Sequence, residues 1–462
     1  MNLFFQKKGL SFILLLLLLL AIPITIPLTK KVQTFFSRAF WQPANIVVDT
    51  KNTVQPLNRS WTALAQGGEE NGNMLLPVIN EIKELNPSYI RIDHIFDMYD
   101  VVSGGKGSPL VFDFTRLDSY IEDIIKTGAI PLISLSYMPP SVAVDGQITG
   151  PPQNWADWEQ MVQKTIEHYS GINNKNILDV YYEVWNEPDL FGDWKIGKDP
   201  NYLELYRYAA SGAAKAQNTN QYFFGGPGTT GFYPNWINAL LKSGYRTDFI
   251  SWHRYSENPS DFETDINALK EILLSDTKYL ILKRLITEWG PNSENSSVND
   301  SQFAAAHLVA TTSKIYKWVD FAFIFEIKDG PDPNGQQYWG RWGILTHEKN
   351  GVVKKPRYQA LSLLNKLKGQ DLPIIGEGTF VTGIAAKENN IIRLILSNFD
   401  QEEKHTEAFP VTFNNLDLAN YTLTQTKLNG EKISTKETAE NGTINKFINL
   451  GVNEVVLLEL TP

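Results

Sequence analysis

The chain has 462 residues, enough for a large core and two folded domains. Its net charge of −9 is spread along the chain without a basic stripe or arginine-rich tail, which argues against a nucleic-acid partner. Cysteine is absent, so disulfides and thiolate metal sites are excluded.

The first feature in chain order is an uncharged run from Gly9 to Thr29, preceded by Lys7-Lys8 and followed by Lys30-Lys31. A secretory core needs about 7–15 apolar residues and a spanning helix about 20. The run has the spanning length, and no small-x-small cleavage site follows it. Residues 1–40 are therefore expected to form a signal-anchor and linker, with the body outside the cytoplasm. A cleaved signal peptide and a secreted body is the alternative.

From residue 59 short apolar runs alternate with amphipathic segments. The runs Trp61–Ala65, Tyr89–Asp93, Ile130–Leu135, Val180–Trp185, Tyr222–Gly225, Phe249–His253, Ile281–Thr287 and Phe321–Phe325 read as strands. Met74 to Leu85, Leu117 to Gly128 and Trp155 to Tyr169 read as helices between them, with Gly128 at a C-cap position. Such alternation predicts an α/β fold, a (β/α)8 TIM barrel over residues 41–372. An open doubly wound sheet is the rival, disfavoured because no glycine-rich phosphate loop follows the first strand. Near residue 372 the texture changes to alternating runs joined by Asn- and Gly-containing turns, such as Glu388-Asn389-Asn390. Residues 373–462 are expected to form a C-terminal antiparallel β-sandwich, with residues 44–50 a candidate further strand of it.

In a barrel of this kind, catalytic groups sit at the C-terminal ends of the strands. Those ends carry Arg91, Asp93 and His94 after strand two, Ser136 to Met138 after strand three and Asn186-Glu187 after strand four. His253 and Tyr255 follow strand six, Glu288-Trp289 strand seven, and Glu326, Lys328 and Asp329 strand eight. Two glutamates thus stand on opposite sides of one mouth. Paired carboxylates fit glycoside hydrolysis, in which one protonates the leaving oxygen while the other, ionised, attacks carbon or activates water. Glu183 shares strand parity with Glu187 and reads as a structural partner of Arg91. Metal catalysis and other cofactors are not expected, because His94 and His253 lack any HxxxH-type pairing.

The segment EVWNEPD (Glu183 to Asp189) resembles the acid/base motif of clan A glycoside hydrolases, and LITEWG (Leu285 to Gly290) resembles their nucleophile motif. YIRIDHIFDMY (Tyr89 to Tyr99), PLISLSYMPPSVA (Pro131 to Ala143), FISWHRYS (Phe249 to Ser256) and the stretch Gly343 to Leu367 are similar to glycoside hydrolase family 39. That family holds β-xylosidases, α-L-iduronidases and exopolysaccharide-cleaving enzymes. The resemblance implies a retaining glycoside hydrolase acting on an extracytoplasmic oligo- or polysaccharide. It implies Glu187 as general acid/base, with its pKa raised, and Glu288 as nucleophile. It implies Asn186 on the sugar 2-hydroxyl, Arg91 holding Glu288 ionised, and His253 and Tyr255 orienting the carboxylates or binding sugar. The family often carries a tryptophan near the end of strand eight. This chain has FIFEIKDG there, so sugar stacking is expected from Trp289, Trp339 or Trp342, and Glu326 is a candidate sugar ligand. A transglycosylase using the same residues and a catalytically idle carbohydrate-binding protein on the same fold are the alternatives. Loss of either glutamate would favour the idle binder, and both are present.

Overall fold

The computed structural model describes residues 41–68 and 70–462. The N-terminal apolar run, and with it the signal-anchor reading, lies outside the described residues. Among the described residues no helix is long and apolar enough to cross a membrane.

Eight parallel strands close into a barrel in chain order: Ala63–Gln66, Tyr89–Ile92, Ile130–Ser134, Val180–Glu183, Tyr222–Thr229, Phe249–Tyr255, Lys283–Gly290 and Phe321–Phe325. The eighth pairs with the first, Phe323 opposite Ala63. Strand seven differs from expectation. Thr277–Ile281 is a short 3-10 turn, and the strand runs from Lys283 through Glu288 to Gly290. The helix expected from Met74 begins as a 3-10 turn, Leu76–Val78, and becomes α-helical only at Ile79–Leu85, after Pro77. The Trp155–Tyr169 helix starts where the Asn154 side chain accepts the Ala156 N–H at 3.1 Å. Gly128 closes the Thr115–Thr127 helix with φ 93°, a left-handed cap that suits glycine. A hairpin, Val102–Gly105 with Ser108–Phe112, extends the loop after strand two.

The barrel interior is layered by strand parity. Tyr89, Leu132, Tyr181, Phe249, Leu285 and Phe323 form an apolar plug. Two residues further along strands two, three, four and six, the inward positions become Arg91, Ser134, Glu183 and Ser251, all fully buried. Polarity therefore switches within one layer, at the end where the strands terminate.

The second unit packs two sheets. One has the order Gln370–Leu372, Val381–Glu388, Ile391–Asn398, Val455–Thr461, Asn420–Lys427, Lys432–Thr438, and its pairings are antiparallel. The other has the order Ile374–Ile375, Ile46–Asp49, Glu407–Asn414, Ile444–Leu450. Ile46–Asp49, which precedes the barrel, runs parallel to Glu407–Asn414, the one parallel pairing in these two sheets among the described residues. The Gln302–Ile315 helix is apolar nearly all round because it is covered on both sides. The barrel lies on one side, and on the other the Ser397 hydroxyl donates to the Ala306 carbonyl at 2.9 Å.

His307 sits at this junction, fully buried among Phe262, Trp289, Phe303 and Phe399. Burial, helped by the Arg357 charge, pushes its pKa down from 6.5 to about 3. The unfolded chain therefore binds a proton that the folded one refuses. The stability this gives is full above pH 6.5 and lost as pH falls toward 3. Acidification from pH 7 to 5 should remove about 2 kcal/mol through this residue. Urea unfolding at the two pH values should show a smaller difference in His307→Gln than in wild type.

Candidate active site

Strand four ends in a strained turn. Trp185 (φ 74°) and Glu187 (φ 45°) both occupy the left-handed region, which costs a non-glycine residue on the order of 1–3 kcal/mol. Surrounding hydrogen bonds hold it there. The Glu187 N–H donates to the Gly228 carbonyl at 2.9 Å, and the Leu190 and Phe191 N–H groups donate to the Glu187 carbonyl at 2.9 and 2.7 Å. The Trp185 indole donates to the Phe191 carbonyl at 2.9 Å. Gly228 has φ 58°, and a Cβ there would come within 3.0 Å of the Glu183 carboxylate. Glycine lets strand five pass this close without displacing the Glu183 carboxylate.

Strand seven carries a bulge. Its pairing with strand six shifts between Ile286 and Glu288, and its pairing with strand eight between Ile286 and Trp289. Leu285 faces the barrel interior, so regular alternation would point Thr287 inward and Glu288 outward. The extra residue reverses the parity. Glu288 reaches the mouth, and Trp289 turns away from it.

One guanidinium joins these elements. Arg91 Nε donates to Glu183 Oε2, Nη1 to Glu288 Oε1 and Nη2 to Asn186 Oδ1, each at 2.8 Å. Asn186 Nδ2 in turn donates to the Tyr137 hydroxyl at 2.8 Å. That fixes the amide with one N–H still unassigned. The Tyr255 hydroxyl donates to Glu288 Oε2 at 2.9 Å. His253 Nδ1 lies 2.8 Å from Glu187 Oε1 and 3.5 Å from Glu288 Oε2. A carboxylate oxygen of Glu187 and one of Glu288 lie within 4.8 Å of each other.

The charges are balanced against burial. Burial pushes the Glu288 carboxyl above its ordinary value, while His253 and Arg91 pull it back. Burial pulls His253 down, but Glu288 and Glu187 outweigh it, so the imidazole holds its proton more firmly than usual. Burial and the adjacent Glu288 raise the Tyr255 hydroxyl far up, which keeps it a donor.

Around these groups lies a pocket of about 510 Å³, within the usual range of small-molecule sites. Glu187, Glu288, Asn186 and Tyr255 line it, with Asp93, His94, Tyr137, Phe325 and Trp342. Arg91 and His253 lie beneath, fully buried. The three tryptophans separate. Trp342 lines the pocket, beside Phe325 with ring centres 5.7 Å apart. Trp289 is no sugar platform. It is 1% exposed and packs against Phe262 and His307 on the outside of the barrel, because the bulge turns it there. Trp339 is not among the lining residues and sits near Arg341, 5.0 Å from its guanidinium. Glu326 is fully buried one layer behind the wall, where Oε2 accepts from Gln66 Nε2 at 2.9 Å and from the Gly67 N–H at 3.3 Å. Sequence reasoning left Asp93 without a role, although its place at the end of strand two marked it.

A closed parallel barrel with two carboxylates this near each other at its mouth is an arrangement that retaining glycosidases use. Residues 44–424 match the sequence model of Glycosyl hydrolases family 39. A β-xylosidase of Caldicellulosiruptor saccharolyticus is 29% identical over 351 residues, 68% of this chain and 70% of that protein. A β-xylosidase of Geobacillus stearothermophilus is 24% identical over 332 residues, 63% of each. The crystal structure of a monomeric β-xylosidase from Caulobacter crescentus CB15 is similar with a TM-score of 0.77 at 20% identity, covering 91% of this chain and 99% of that one. The chain belongs to glycosyl hydrolases family 39, and it is a retaining glycoside hydrolase.

Because His253 pulls the Glu288 carboxyl down, removing its charge should make Glu288 harder to ionise. In His253→Gln the acid limb of the kcat/KM profile should move to higher pH. A limb that stays in place or moves to lower pH counts against this account of the charges.

Proposed function

We propose that the protein cleaves a glycosidic bond by double displacement, with Glu288 as nucleophile and Glu187 as general acid/base. One oxygen of each carboxylate lies within 4.8 Å of the other's, and that closeness supports this above all. Retaining enzymes keep the two carboxyl groups about 5–5.5 Å apart, whereas inverting ones need about 6.5–9.5 Å to admit a water. In the first step a Glu288 oxygen bonds to the anomeric carbon, the bond to the leaving oxygen breaks, and Glu187 gives that oxygen its proton. In the second, Glu187 takes a proton from water, the water oxygen bonds to the anomeric carbon, and Glu288 leaves as carboxylate. The remaining Asn186 N–H suits the sugar 2-hydroxyl. Trp342 supplies the flat apolar wall.

The substrate is an oligo- or polysaccharide outside the cytoplasm, met there because residues 1–40 anchor the body to the membrane. The matched β-xylosidases make a β-xyloside the first glycoside to try. Glu288→Ala and Glu187→Ala should each lose on the order of a thousandfold or more in rate, about 4 kcal/mol. Azide should rescue both, giving a glycosyl azide of inverted configuration with Glu288→Ala and of retained configuration with Glu187→Ala. The reverse pairing exchanges the two roles, and undiminished turnover in either variant removes that residue from the mechanism. For the location, full-length chain should stay with membranes through alkaline carbonate washing, whereas residues 41–462 should not. Release of both contradicts the anchor.

A further inference from the structure

The pocket holds a buried acid that the mechanism does not use. Asp93 stands at the end of strand two, two residues beyond Arg91, and is 6% exposed. No hydrogen bond from any described residue reaches its carboxylate, and Oδ1 is sealed from solvent without a partner. A buried acceptor left unpaired in this way is costly, and Asp93 lines the pocket, where a ligand can bring donors to the part of the side chain that stays open. Arg91 Nε, Nη1 and Nη2 donate to Glu183, Glu288 and Asn186, and none of its N–H groups is bonded to Asp93 Oδ1.

The rest of the lining points the same way. Its charged side chains are Asp93, Glu187, Glu288 and Glu294, with His94, and no lysine or arginine lines the pocket among the described residues. A sugar carboxylate would enter this field against like charge and find no guanidinium or ammonium to receive it.

We infer that Asp93 is a specificity-determining residue, one that accepts hydrogen bonds from donor groups of the glycone and restricts the pocket to sugars without a carboxylate. The donors are hydroxyls of a neutral sugar. An ammonium on an amino sugar presents the same chemistry. The inference rests on the proposed use of this pocket for the glycone.

The test uses the full chain with matched p-nitrophenyl glycosides of neutral, amino and uronic sugars in the xylo/gluco, galacto and manno series. Binding of the corresponding free monosaccharides is measured in parallel. Wild type should turn over or bind the neutral or the amino member of a series and reject its uronide. In Asp93→Asn and Asp93→Ala, kcat/KM or affinity for that preferred sugar should fall about ten- to a hundredfold. The decisive readout is coupling. Deoxy analogues lacking one hydroxyl each should include one that loses a similar factor with wild type and little more with Asp93→Ala. A purely structural role leaves the deoxy penalty unchanged. Melting temperatures of Asp93→Asn should stay close to that of wild type, which separates a loss of affinity from a loss of fold.

A preference for the uronide, no preference between neutral and uronic sugars, or an unchanged deoxy penalty overturns the inference. Glu288→Ala separates this from failure of the wider reading. Turnover that survives Glu288→Ala condemns the catalytic assignment, whereas turnover that vanishes there but ignores Asp93 condemns this inference alone.

Discussion

The site depends on one buried guanidinium. Arg91 is fully buried inside the barrel, and its planar fork meets Glu183 of strand four, Glu288 of strand seven and Asn186 of the turn after strand four. Removing one partner from such a pair strands a buried charge at a cost of about 3–5 kcal/mol, so the local structure is built to keep all of them. The inward layer turns polar at this level, and Gly228 leaves room beside the Glu183 carboxylate. Lysine could not do the same work, because a point charge fixes no directions. One rigid cation sets the direction of the proposed nucleophile and of the amide beside the proposed acid.

On that frame the proton traffic follows from charge. In the proposed mechanism, the glycosyl-enzyme neutralises Glu288 by making it an ester. That removes a negative charge from within 4.8 Å of Glu187 as Glu187 changes from acid to base. His253 stands between the two and faces both. While Glu288 is ionised His253 is shared between the two carboxyl groups, and once Glu288 is an ester its electrostatic partner is Glu187. Tyr255 donates to Glu288 throughout, since its own ionisation is strongly opposed by burial and by the carboxylate it serves.

Strand order and the two motif segments were legible because they rest on local rules. The eight runs near the observed barrel strands are mostly apolar, and each is separated from the next by helical periodicity or a loop. The Arg91–Glu183 pair followed from parity. Parity failed at strand seven. Period-two alternation from Leu285 sends Glu288 outward, and only the bulge at Thr287, which pairing with strands six and eight decides, brings it in. The same bulge explains why Trp289 looked like a sugar platform beside a catalytic motif and packs instead against helices. The hairpin at 102–112 was missed because its strands are short and rich in glycine, serine and proline. Asp93 was visible as a residue but not as an orphan, since lack of a partner is a property of the assembled pocket.

The sandwich bears on the site through packing. Phe399, at the edge of the sandwich, meets His307 with ring centres 5.5 Å apart, and His307 meets Trp289 at 6.2 Å. Trp289 follows Glu288 directly in the chain, and its ring fills the space behind the bulge. A bulge without a filled space behind it has little to stop it sliding back into regular pairing, which would carry Glu288 out of the mouth. The Gln302–Ile315 helix supplies that filling, and it is held in turn by the sheet on its far side. The tryptophan expected to face a sugar thus holds the neighbouring carboxylate from behind, and the second unit is part of the support for the first.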